Sequence, residues 1–405
     1  MKAVILAAGE GVRMHPLTHS RPKVMLPLAN KPILEHLLIE LRKIGIQEFT
    51  FVVGYREDTI RNYFEDGQRW GTQITYVTQK EQLGTAHALK MARANMGDRF
   101  LLLNGDVLIK ENHLQQFKSK TCISLCLFAT EHTHGMGVVS IEGNRITHIH
   151  EKTNNPPSNL VNAGVYLLTP RIFEAIDQTR KSTRGEYEIT DSLQLLINQG
   201  EEISYQLIDK WMDVGYPWEL INANENMLED LEAQNLGKIS GNVFLDGPVS
   251  VGKGTVIKPG TYIEGPVIIG ENCKIGPNSY IRPKTSIGHR CHIGASVEIK
   301  NSIIMNGAHV PHHNYVGDSI IGENCNLGSG TKVANLRLDK KTITVKGIDT
   351  KRRKLGVIMG DNVQTGINAS INIGTLIGDN SLIGPNVIAS GVIPPNSRIL
   401  RPPRR

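Results

Sequence analysis

Aliphatic residues return at every sixth position through much of the second half of the chain. Nine β-branched residues hold this period without a gap: Val251, Ile257, Ile263, Ile269, Ile275, Ile281, Ile287, Ile293 and Ile299. The period resumes at 321, 327 and 333 and again at 371, 377 and 383. Each coil of a left-handed parallel β-helix has three flat faces of about six residues, so one inward aliphatic residue per face produces this pattern. We therefore predict such a β-helix.

Two segments interrupt the six-residue period, Ala308–Tyr315 and Asn335–Leu355. Insertions in a solenoid form loops on one face, often the binding face, so we expect both segments to be loops beside a site. A stiff prism with flat exposed faces also suits side-by-side packing of three copies. We expect a homotrimer that holds ligands between subunits.

The first half of the chain alternates short β-rich runs with helical periodicity. The predicted strands are Met1–Ala8, Phe49–Val53, Ile74–Thr78 and Phe100–Leu103, and the predicted helices are Ile33–Ile44 and Ala86–Asn95. This alternation is typical of a Rossmann-like α/β domain with a mainly parallel sheet and helices on both faces. A polar helical stretch, Pro217–Asn235, reads as a connector. We predict a first domain over 1–216, a helical linker over 217–240 and the β-helix over 241–405.

Composition and charge narrow the class of protein. The chain of 405 residues is 40% hydrophobic and 21% charged, which is typical of a globular protein, and none of its apolar runs approaches the length of a membrane span. Its five cysteines are widely spaced without a metal-binding pattern, so we expect a cytoplasmic protein. The chain has a net charge of +6. Two short segments, 336–354 and 398–405, together carry +10, and the rest of the chain carries −4. A nucleic-acid binder needs a basic face across a folded domain, so we expect phosphate-bearing small molecules as partners instead.

A glycine-rich segment follows the first predicted strand. Gly9 and Gly11 let backbone N–H groups approach an anion, and Arg13 and Lys23 add two cations to the same loop. This combination is a clamp for a polyphosphate whose charge must be neutralised during transfer. Met14 occupies the third glycine position of a dinucleotide-binding fingerprint, which excludes that motif in its strict form.

With Pro16–Thr18 and Pro22-Lys23, this segment resembles the signature of the sugar-1-phosphate nucleotidylyltransferases, and the likeness extends over residues 1–230. The resemblance implies that Arg13 and Lys23 are catalytic and that Asp106 and Asp213 bind Mg²⁺. It assigns a pyrimidine nucleotide, UTP or dTTP, to a set of binding residues: Ala8, Gly9, Gly11, Gln79, Gly84 and Thr85. It places the sugar phosphate at Gly137, Glu151, Lys152 and Asn162.

The run Pro311–Asp318 interrupts the aliphatic period with two adjacent histidines. It resembles the acetyltransferase half of the bacterial bifunctional enzyme that makes UDP-N-acetylglucosamine. The resemblance implies acetyl-CoA as co-substrate and His312 as the base, because a neutral imidazole can take the proton of an attacking amine. His313 stays open as the alternative base. The implied substrate-binding residues are Arg282, Lys300, Tyr315, Asn326, Asn335 and Lys340.

The basic run Lys351–Lys354 reads equally well as a site for the phosphates of coenzyme A and as a solvated loop. Taken together, these observations predict an archaeal-type bifunctional enzyme. It acetylates glucosamine-1-phosphate and then transfers a uridylyl group to N-acetylglucosamine-1-phosphate. The alternative is a glucose-1-phosphate uridylyl- or thymidylyltransferase whose β-helix only oligomerises. A silent binding subunit is a third class, which the complete set of charged residues in the first domain disfavours.

Overall fold

The chain folds into two compact units. The structure is a computed structural model that describes residues 1–94, 96–151, 155–212 and 214–400. The first unit comprises 1–10, 21–25 and 32–213, and the second comprises 11–20, 26–31 and 214–405. The domain boundaries predicted at 216 and 240 stay a prediction. Within the described residues, no helix combines the length and the apolar character that crossing a membrane requires.

The first unit is built on a nine-stranded sheet. In chain order its strands are β1 Lys2–Ala7, β2 Glu48–Val53, β3 Gln73–Thr78, β4 Phe100–Asn104, β5 Ser124–Ala129, β6 Gly137–Glu142, β7 Arg145–Glu151, β8 Leu160–Leu168 and β9 Ser204–Ile208. Their spatial order is β3-β2-β1-β4-β8-β5-β9-β7-β6. Strands β3, β2, β1 and β4 run parallel, whereas β8 is antiparallel to both of its neighbours. The predicted parallel arrangement therefore holds for one part of the sheet, and the other part is mixed.

Helices cover both faces of this sheet, as predicted. They are α1 Ile33–Lys43, α2 Glu57–Phe64, α3 Thr85–Met91, α4 Glu111–Lys118, α5 Ile172–Gln178 and α6 Ile189–Asn198, with short 3₁₀ turns at Val12–Met14, Lys23–Met25 and Gln68–Trp70. Ala3 and Ile5 share a hydrophobic cluster with α1, α2 and α4, whereas Val4 shares one with α3, α5 and α6. Since side chains alternate across a strand, the two clusters lie on opposite faces. Helix α3 ends earlier than predicted, and Asn95 lies outside the described residues.

The second unit is a parallel β-helix with three sheets, one along each face. The strands of the first face are Gln234–Asn235, Val249–Val251, Val267–Ile269, Thr285–Ile287, Ile303–Ile304, Ile320–Ile321, Val357–Met359, Thr375–Ile377 and Val392–Ile393. Those of the second face are Lys238–Ile239, Val256–Ile257, Lys274–Ile275, His292–Ala295, His309–His312, Asn326–Leu327, Gln364–Thr365, Leu382–Ile383 and Arg398–Ile399. Those of the third face are Phe244–Asp246, Tyr262–Glu264, Tyr280–Ile281, Glu298–Lys300, Tyr315–Gly317, Lys332–Val333, Ser370–Ile371 and Ile388–Ala389.

The left-handed hexapeptide β-helix predicted from the period is confirmed. All nine aliphatic residues of the unbroken series are at most 1% exposed and belong to one core cluster. Cys273, Cys291 and Cys325 are buried in the same cluster, so these thiols pack inside the coil. The prism therefore depends on one continuous column of aliphatic side chains.

The predicted loop at Ala308–Tyr315 is wrong. This segment contains two β-strands, His309–His312 and Tyr315–Gly317, which continue the second and third faces. The inward positions here are Ile299, Ile304, Val310, Val316 and Ile321. Two of the steps between them are five residues long instead of six, which shifts the pattern without opening the coil.

The interruption at Asn335–Leu355 is an insertion, as predicted. Its chain forms a small antiparallel pair between Thr344–Val345 and Ile348–Asp349. An isolated bridge between Leu336 and Lys354 closes its base. The predicted helix over Pro217–Asn235 is shorter in the structure, where α7 spans Glu219–Glu229 in the second unit and Gln234–Asn235 is already a strand.

The aliphatic column leads to a stability prediction. Replacing Ile275 by alanine should lower the free energy of unfolding of the β-helix by about 2–5 kcal/mol, because the neighbouring coils cannot fill the cavity. The preceding residue in the same strand, Lys274, is exposed to solvent, so Lys274→Ala should change that free energy by about 0.5 kcal/mol or less. Urea denaturation followed by circular dichroism measures both variants. Equal losses for the two would contradict this account of the core.

Two candidate active sites

The glycine-rich segment after β1 forms an open turn. Gly11 has a φ of 73°, a left-handed conformation that favours glycine, and it precedes a 3₁₀ turn. The hydroxyl of Thr18 donates to its carbonyl at 2.9 Å. A side chain on Gly9 would meet no atom within 4 Å, so space is open beside the backbone there. The carbonyl of Ala8 accepts a hydrogen bond from the N–H of Tyr55 at 3.0 Å.

The guanidinium of Arg13 lies 5.6 Å from the centre of the Tyr216 ring. A guanidinium over an aromatic face is attracted by the negative face of the ring, and this contact restricts the side chain without neutralising it. The contact thus leaves the N–H donors of the guanidinium available in principle for an anion.

Lys23 and Asp106 form an ion pair. The Nζ of Lys23 donates to the Oδ2 of Asp106 at 2.6 Å, and the two side chains are 12% and 30% exposed. Asp106 follows the carboxyl end of β4, where the N–H of Gly105 donates to the carbonyl of Leu6 at 2.8 Å. Ligands of open α/β sheets bind at this edge. The structure thus brings together the predicted catalytic lysine and one predicted metal ligand.

A carboxylate at this edge fits Mg²⁺, which takes one or two carboxylates and completes its shell with water and phosphate oxygens. No cluster of three or more His, Cys, Asp or Glu side chains able to hold a metal ion occurs in the described part of the chain. Asp213, the second predicted ligand, lies outside the described residues.

The predicted base-reading residues meet at the start of α3. Gln79 is buried, and its Nε2 lies 3.2 Å from the carbonyl oxygen of Gly84 and 2.9 Å from the Nδ1 of His87. Gly84 has a φ of 108°, and a side chain there would meet the carbonyl oxygen of Tyr187 at 2.5 Å. Sequence reasoning missed His87, although it stands two residues after Thr85.

Thr85 has a structural hydrogen bond. Its Oγ1 accepts from the backbone N–H of Ile189 at 2.9 Å, at the first residue of α6. The first N–H groups of a helix have no partner within the helix, so this hydroxyl acts as a cap for a neighbouring element.

Three of the four predicted sugar-pocket residues lie together. A side chain on Gly137 would meet the Oε2 of Glu151 at 3.0 Å and the Cβ of Asn162 at 3.8 Å. Glu151 accepts from the hydroxyl of Thr190 at 3.1 Å and pairs with Arg184 at 3.4 Å. The fourth residue, Lys152, lies outside the described residues.

The amide of Asn162 is held from both ends. Its Nδ2 donates to the Oη of Tyr166 at 2.6 Å, and its Oδ1 accepts from the N–H of Gly164 at 3.0 Å. Arg184 also pairs with Glu188, whose pKa is raised above its usual range by burial although the charge of Arg184 opposes the rise. Sequence reasoning missed Arg184, Glu188 and Thr190. Their only signal was the spacing of four residues between Arg184 and Glu188.

In the second unit, a buried carboxylate gathers several of the predicted residues. Asp318 is 2% exposed, and its Oδ2 accepts from the Nδ2 of Asn335 at 2.6 Å. Lys300 lies 3.4 Å from the same oxygen. The Nδ2 of Asn335 also lies 3.2 Å from the Oη of Tyr315. The structure therefore brings together Lys300, Tyr315 and Asn335.

Tyr315 and Asn335 line an open pocket with a volume of about 340 Å³. Its other lining residues are Lys332, Val333, Ala334, Ser370, Ile371, Asn372 and Ile388. Asparagine and tyrosine provide polar groups at one end, and aliphatic side chains provide the floor. This combination is typical of small-molecule sites.

The two histidines take different positions in the coil. His312 ends the strand His309–His312 and is exposed. His313 has a φ of 50° and occupies the corner, a conformation shared with Asn278 and Ser296 at the same corner of earlier coils. The carbonyl of His313 accepts a hydrogen bond from the Nζ of Lys332.

Lys300 has a second lysine, Lys354, as a neighbour. Its charge lowers the pKa of Lys354 below the usual lysine range. Two like charges repel, and an anion bound between them relieves the repulsion. Arg282 pairs with Glu298 at 3.1 Å. Sequence reasoning gave Lys354 no definite role, because its proximity to Lys300 depends on how the insertion folds back.

The other two predicted residues have different surroundings. Asn326 is exposed and pairs in register with His309 on the second face. Lys340 is exposed in the insertion with a φ of 57°, and its carbonyl accepts from the Nε of Arg353 at 3.1 Å. Within the residues that the structure describes, neither side chain contacts the group around Asp318.

Glu225 of α7 ties the insertion to the coils. It accepts from Asn301 at 2.9 Å and pairs with Arg352 at 3.2 Å and Lys284 at 3.4 Å. Burial acts to raise the pKa of Glu225, but the hydrogen bond from Asn301 and the charge of Arg352 outweigh it and lower that pKa. This network fixes the segment that carries Lys354.

Comparison with known families agrees with the two-part architecture. The model of the nucleotidyl transferase family matches residues 2–230. The C-terminal half matches a model described as the GMPPB C-terminal domain over 263–367 and a hexapeptide repeat of succinyl-transferase over 356–389.

Relatives of known function match almost the whole chain. A bifunctional protein GlmU from Methanococcus maripaludis strain C7 is 46% identical, with 99% of this chain and 97% of the relative covered. A bifunctional sugar-1-phosphate nucleotidylyltransferase/acetyltransferase from Sulfurisphaera tokodaii is 40% identical, with 96% and 97% covered. A crystal structure of UDP-glucose pyrophosphorylase complexed with UDP-glucose is 26% identical, with a TM-score of 0.51 over 56% of this chain and 97% of that one. This chain therefore belongs to the family of bifunctional sugar-1-phosphate nucleotidylyltransferases/acetyltransferases.

Proposed function

We propose that this chain catalyses two consecutive reactions in the synthesis of UDP-N-acetylglucosamine. The β-helix transfers the acetyl group of acetyl-CoA to the amine of glucosamine-1-phosphate. The first unit then couples N-acetylglucosamine-1-phosphate to UTP and releases pyrophosphate. The observation that carries the second activity is the polar cluster around Asp318, which holds Lys300 and Asn335 together, with Tyr315 beside Asn335.

In nucleotidyl transfer, an oxygen of the sugar phosphate attacks the α-phosphorus of the nucleotide in line, and pyrophosphate leaves. Lys23 and Arg13 balance the charge that spreads over the phosphate oxygens in the transition state. The 2.6 Å contact with Asp106 holds the ammonium of Lys23 in place before substrate arrives. Mg²⁺, held by Asp106 and Asp213, would neutralise phosphate charge. The backbone N–H groups of Ala8, Gly9 and Gly11 would then bind the remaining phosphate oxygens.

Recognition of the base and the sugar is assigned to two groups of side chains. Gln79 reads the pyrimidine beside the backbone of Gly84 and Thr85. The sugar is held by Gly137, Glu151, Lys152 and Asn162, since Glu151 accepts hydrogen bonds from hydroxyls and the ammonium of Lys152 meets the phosphate. The ties of Glu151 and Asn162 to their neighbours support this assignment, because held side chains lose little freedom on binding.

In acetyl transfer, the nitrogen of the amino sugar attacks the thioester carbonyl, a C–N bond forms and the C–S bond breaks. His312 takes the proton from the nitrogen and passes it to the departing thiolate of coenzyme A. Both histidines are exposed, and the left-handed conformation of His313 serves the corner of the coil, which favours His312 for this role. Tyr315 and Asn335 face the amine.

The remaining groups bind the two substrates. Lys300 and Arg282 hold the 1-phosphate, and Asn326 contacts the sugar. Lys340 and the run Lys351–Lys354 take the phosphates of coenzyme A, and we propose that a homotrimer in the cytoplasm brings the binding surfaces together. The likeness to UDP-glucose pyrophosphorylase favours a second candidate, uridylyl transfer to glucose-1-phosphate with a silent β-helix. Release of thiol from acetyl-CoA separates the two candidates.

Asp106→Asn tests the first activity. The variant should lower the rate of pyrophosphate release by at least about 10²-fold, because it removes a charge that positions Lys23 and a metal ligand. Pyrophosphate release from UTP and N-acetylglucosamine-1-phosphate measures the effect. Thiol release by the same protein should stay unchanged, and the exposed Asp98→Asn should keep full activity in both assays. A fully active Asp106→Asn protein would overturn the assignment.

His312→Ala tests the second activity. The rate of thiol release from acetyl-CoA on addition of glucosamine-1-phosphate should fall by about 10²–10⁴-fold, the usual contribution of a general base. His313→Ala is the matched control and should release thiol at close to the wild-type rate. The opposite ranking would move the base to His313. A wild-type protein that releases no thiol would leave the β-helix as a scaffold.

A further inference from the structure

We propose that Asp318 is a positioning residue that orients the amide of Asn335, so that the Oδ1 of Asn335 faces the amine of the amino sugar. The inference rests on the acetyl transfer proposed above. It assigns a role to a buried residue whose side chain does not touch the substrate.

The carboxylate of Asp318 is built into the coil. Asp318 is 2% exposed, and its Oδ1 accepts from the Nδ2 of Asn301 at 2.9 Å and lies 3.9 Å from Arg352. Its Oδ2 accepts a hydrogen bond from the Nδ2 of Asn335 at 2.6 Å and lies 3.4 Å from the Nζ of Lys300. A buried carboxylate is retained only where such partners offset its loss of water. Both oxygens therefore have fixed directions.

The backbone also fixes where this carboxylate points. Asp318 has a φ of 51°, which places it at a corner. Its N–H donates to the carbonyl of Lys300 at 2.9 Å, and its carbonyl accepts from the N–H of Gly356 at 2.8 Å. Neighbouring coils thus hold the residue from both sides.

The donor and acceptor chemistry decides the orientation of the Asn335 amide. A carboxylate only accepts, so the atom of Asn335 that lies 2.6 Å from Asp318 must be the NH₂ group. The same group lies 3.2 Å from the Oη of Tyr315, so both N–H bonds of the amide have acceptors. Within the described part of the chain the Oδ1 has no hydrogen-bond donor, and this oxygen is what Asn335 can offer to a ligand.

An acceptor at this place suits an attacking amine. A neutral amine has two N–H bonds and one lone pair. When Oδ1 accepts from one N–H and His312 faces the other, the lone pair has only one direction left, toward the thioester carbon. Orientation of this kind accounts for large rate factors in enzymes.

Gly317 leaves the room that this arrangement needs. A side chain on Gly317 would lie 2.6 Å from the Nδ2 of Asn335 and 2.7 Å from the Oη of Tyr315. Contacts this short are not tolerated, so an alanine would displace the amide while leaving the Asp318 carboxylate in place. This gives a second, independent way to disturb the orientation.

The test is Asp318→Asn in the full chain. An amide can donate as well as accept, so it no longer forces the NH₂ group of Asn335 toward the interior. We expect kcat for thiol release to fall by about 10–100-fold, with KM for acetyl-CoA unchanged. In the background of Asn335→Ala the same substitution should cause no further loss, because the group that it orients is gone.

Asp246→Asn is the matched control. It makes the same change at an exposed carboxylate in an early strand of the third face, and we expect kcat to stay close to the wild-type value. Urea denaturation of every variant, followed by circular dichroism, checks that the β-helix is folded. Where Asp318→Asn fails that check, Gly317→Ala replaces it, with the same expected loss of kcat and the same lack of additivity.

Three results would overturn the inference. Wild-type kcat in Asp318→Asn, beside a wild-type protein that releases thiol, would remove the role of Asp318 and leave acetyl transfer standing. Losses that add in the double variant would assign Asp318 to structure alone. A wild-type protein that releases no thiol would remove acetyl transfer itself, together with any role in it.

Discussion

One constraint underlies the second unit: nearly every face of each coil must place one aliphatic side chain inward against the neighbouring coils. The continuous column that results buries its residues almost completely. Because the column supplies the stabilising contacts, residues on the outer surface are free to carry chemistry. Strands in neighbouring coils lie about 4.8 Å apart, so polar residues far apart in sequence become close neighbours.

This stacking is what assembles the group around Asp318. Lys300 pairs in register with Gly317, and Tyr315 pairs with Lys332. Asn335 follows one coil later, at the start of the insertion. Two shortened steps and one insertion therefore fall in three successive coils, and the polar cluster lies among them.

The first unit reaches a similar result by different means. Parallel strands end at a common edge, which sets Asp106 after β4 near the segment that carries Lys23. Glycine is required at Gly84, where the backbone of Tyr187 leaves no room for a side chain. Rigid elements thus hold the charged groups at this edge of the sheet.

By itself the sequence determined the architecture and the family. The period of six specifies the β-helix because an inward position must recur on each flat face, and the alternation of strands and helices specifies the α/β domain. The resemblance of Arg13, Lys23, Asp106, His312 and their neighbours to known motifs pointed to two activities, and relatives that match both units agree.

Only the tertiary structure decided how side chains pair. It showed that Ala308–Tyr315 stays in the coil, because a five-residue step on each side of the segment keeps the following aliphatic residue inward. It showed that the hydroxyl of Thr85 accepts a hydrogen bond from the first residue of α6. It also showed that Lys340 is exposed in the insertion. The partners of Asp318 come from the preceding coil and from the insertion, and their distances depend on stacking and chain path. A pattern of hydrophobic positions records which face a residue occupies but not which donor meets which acceptor.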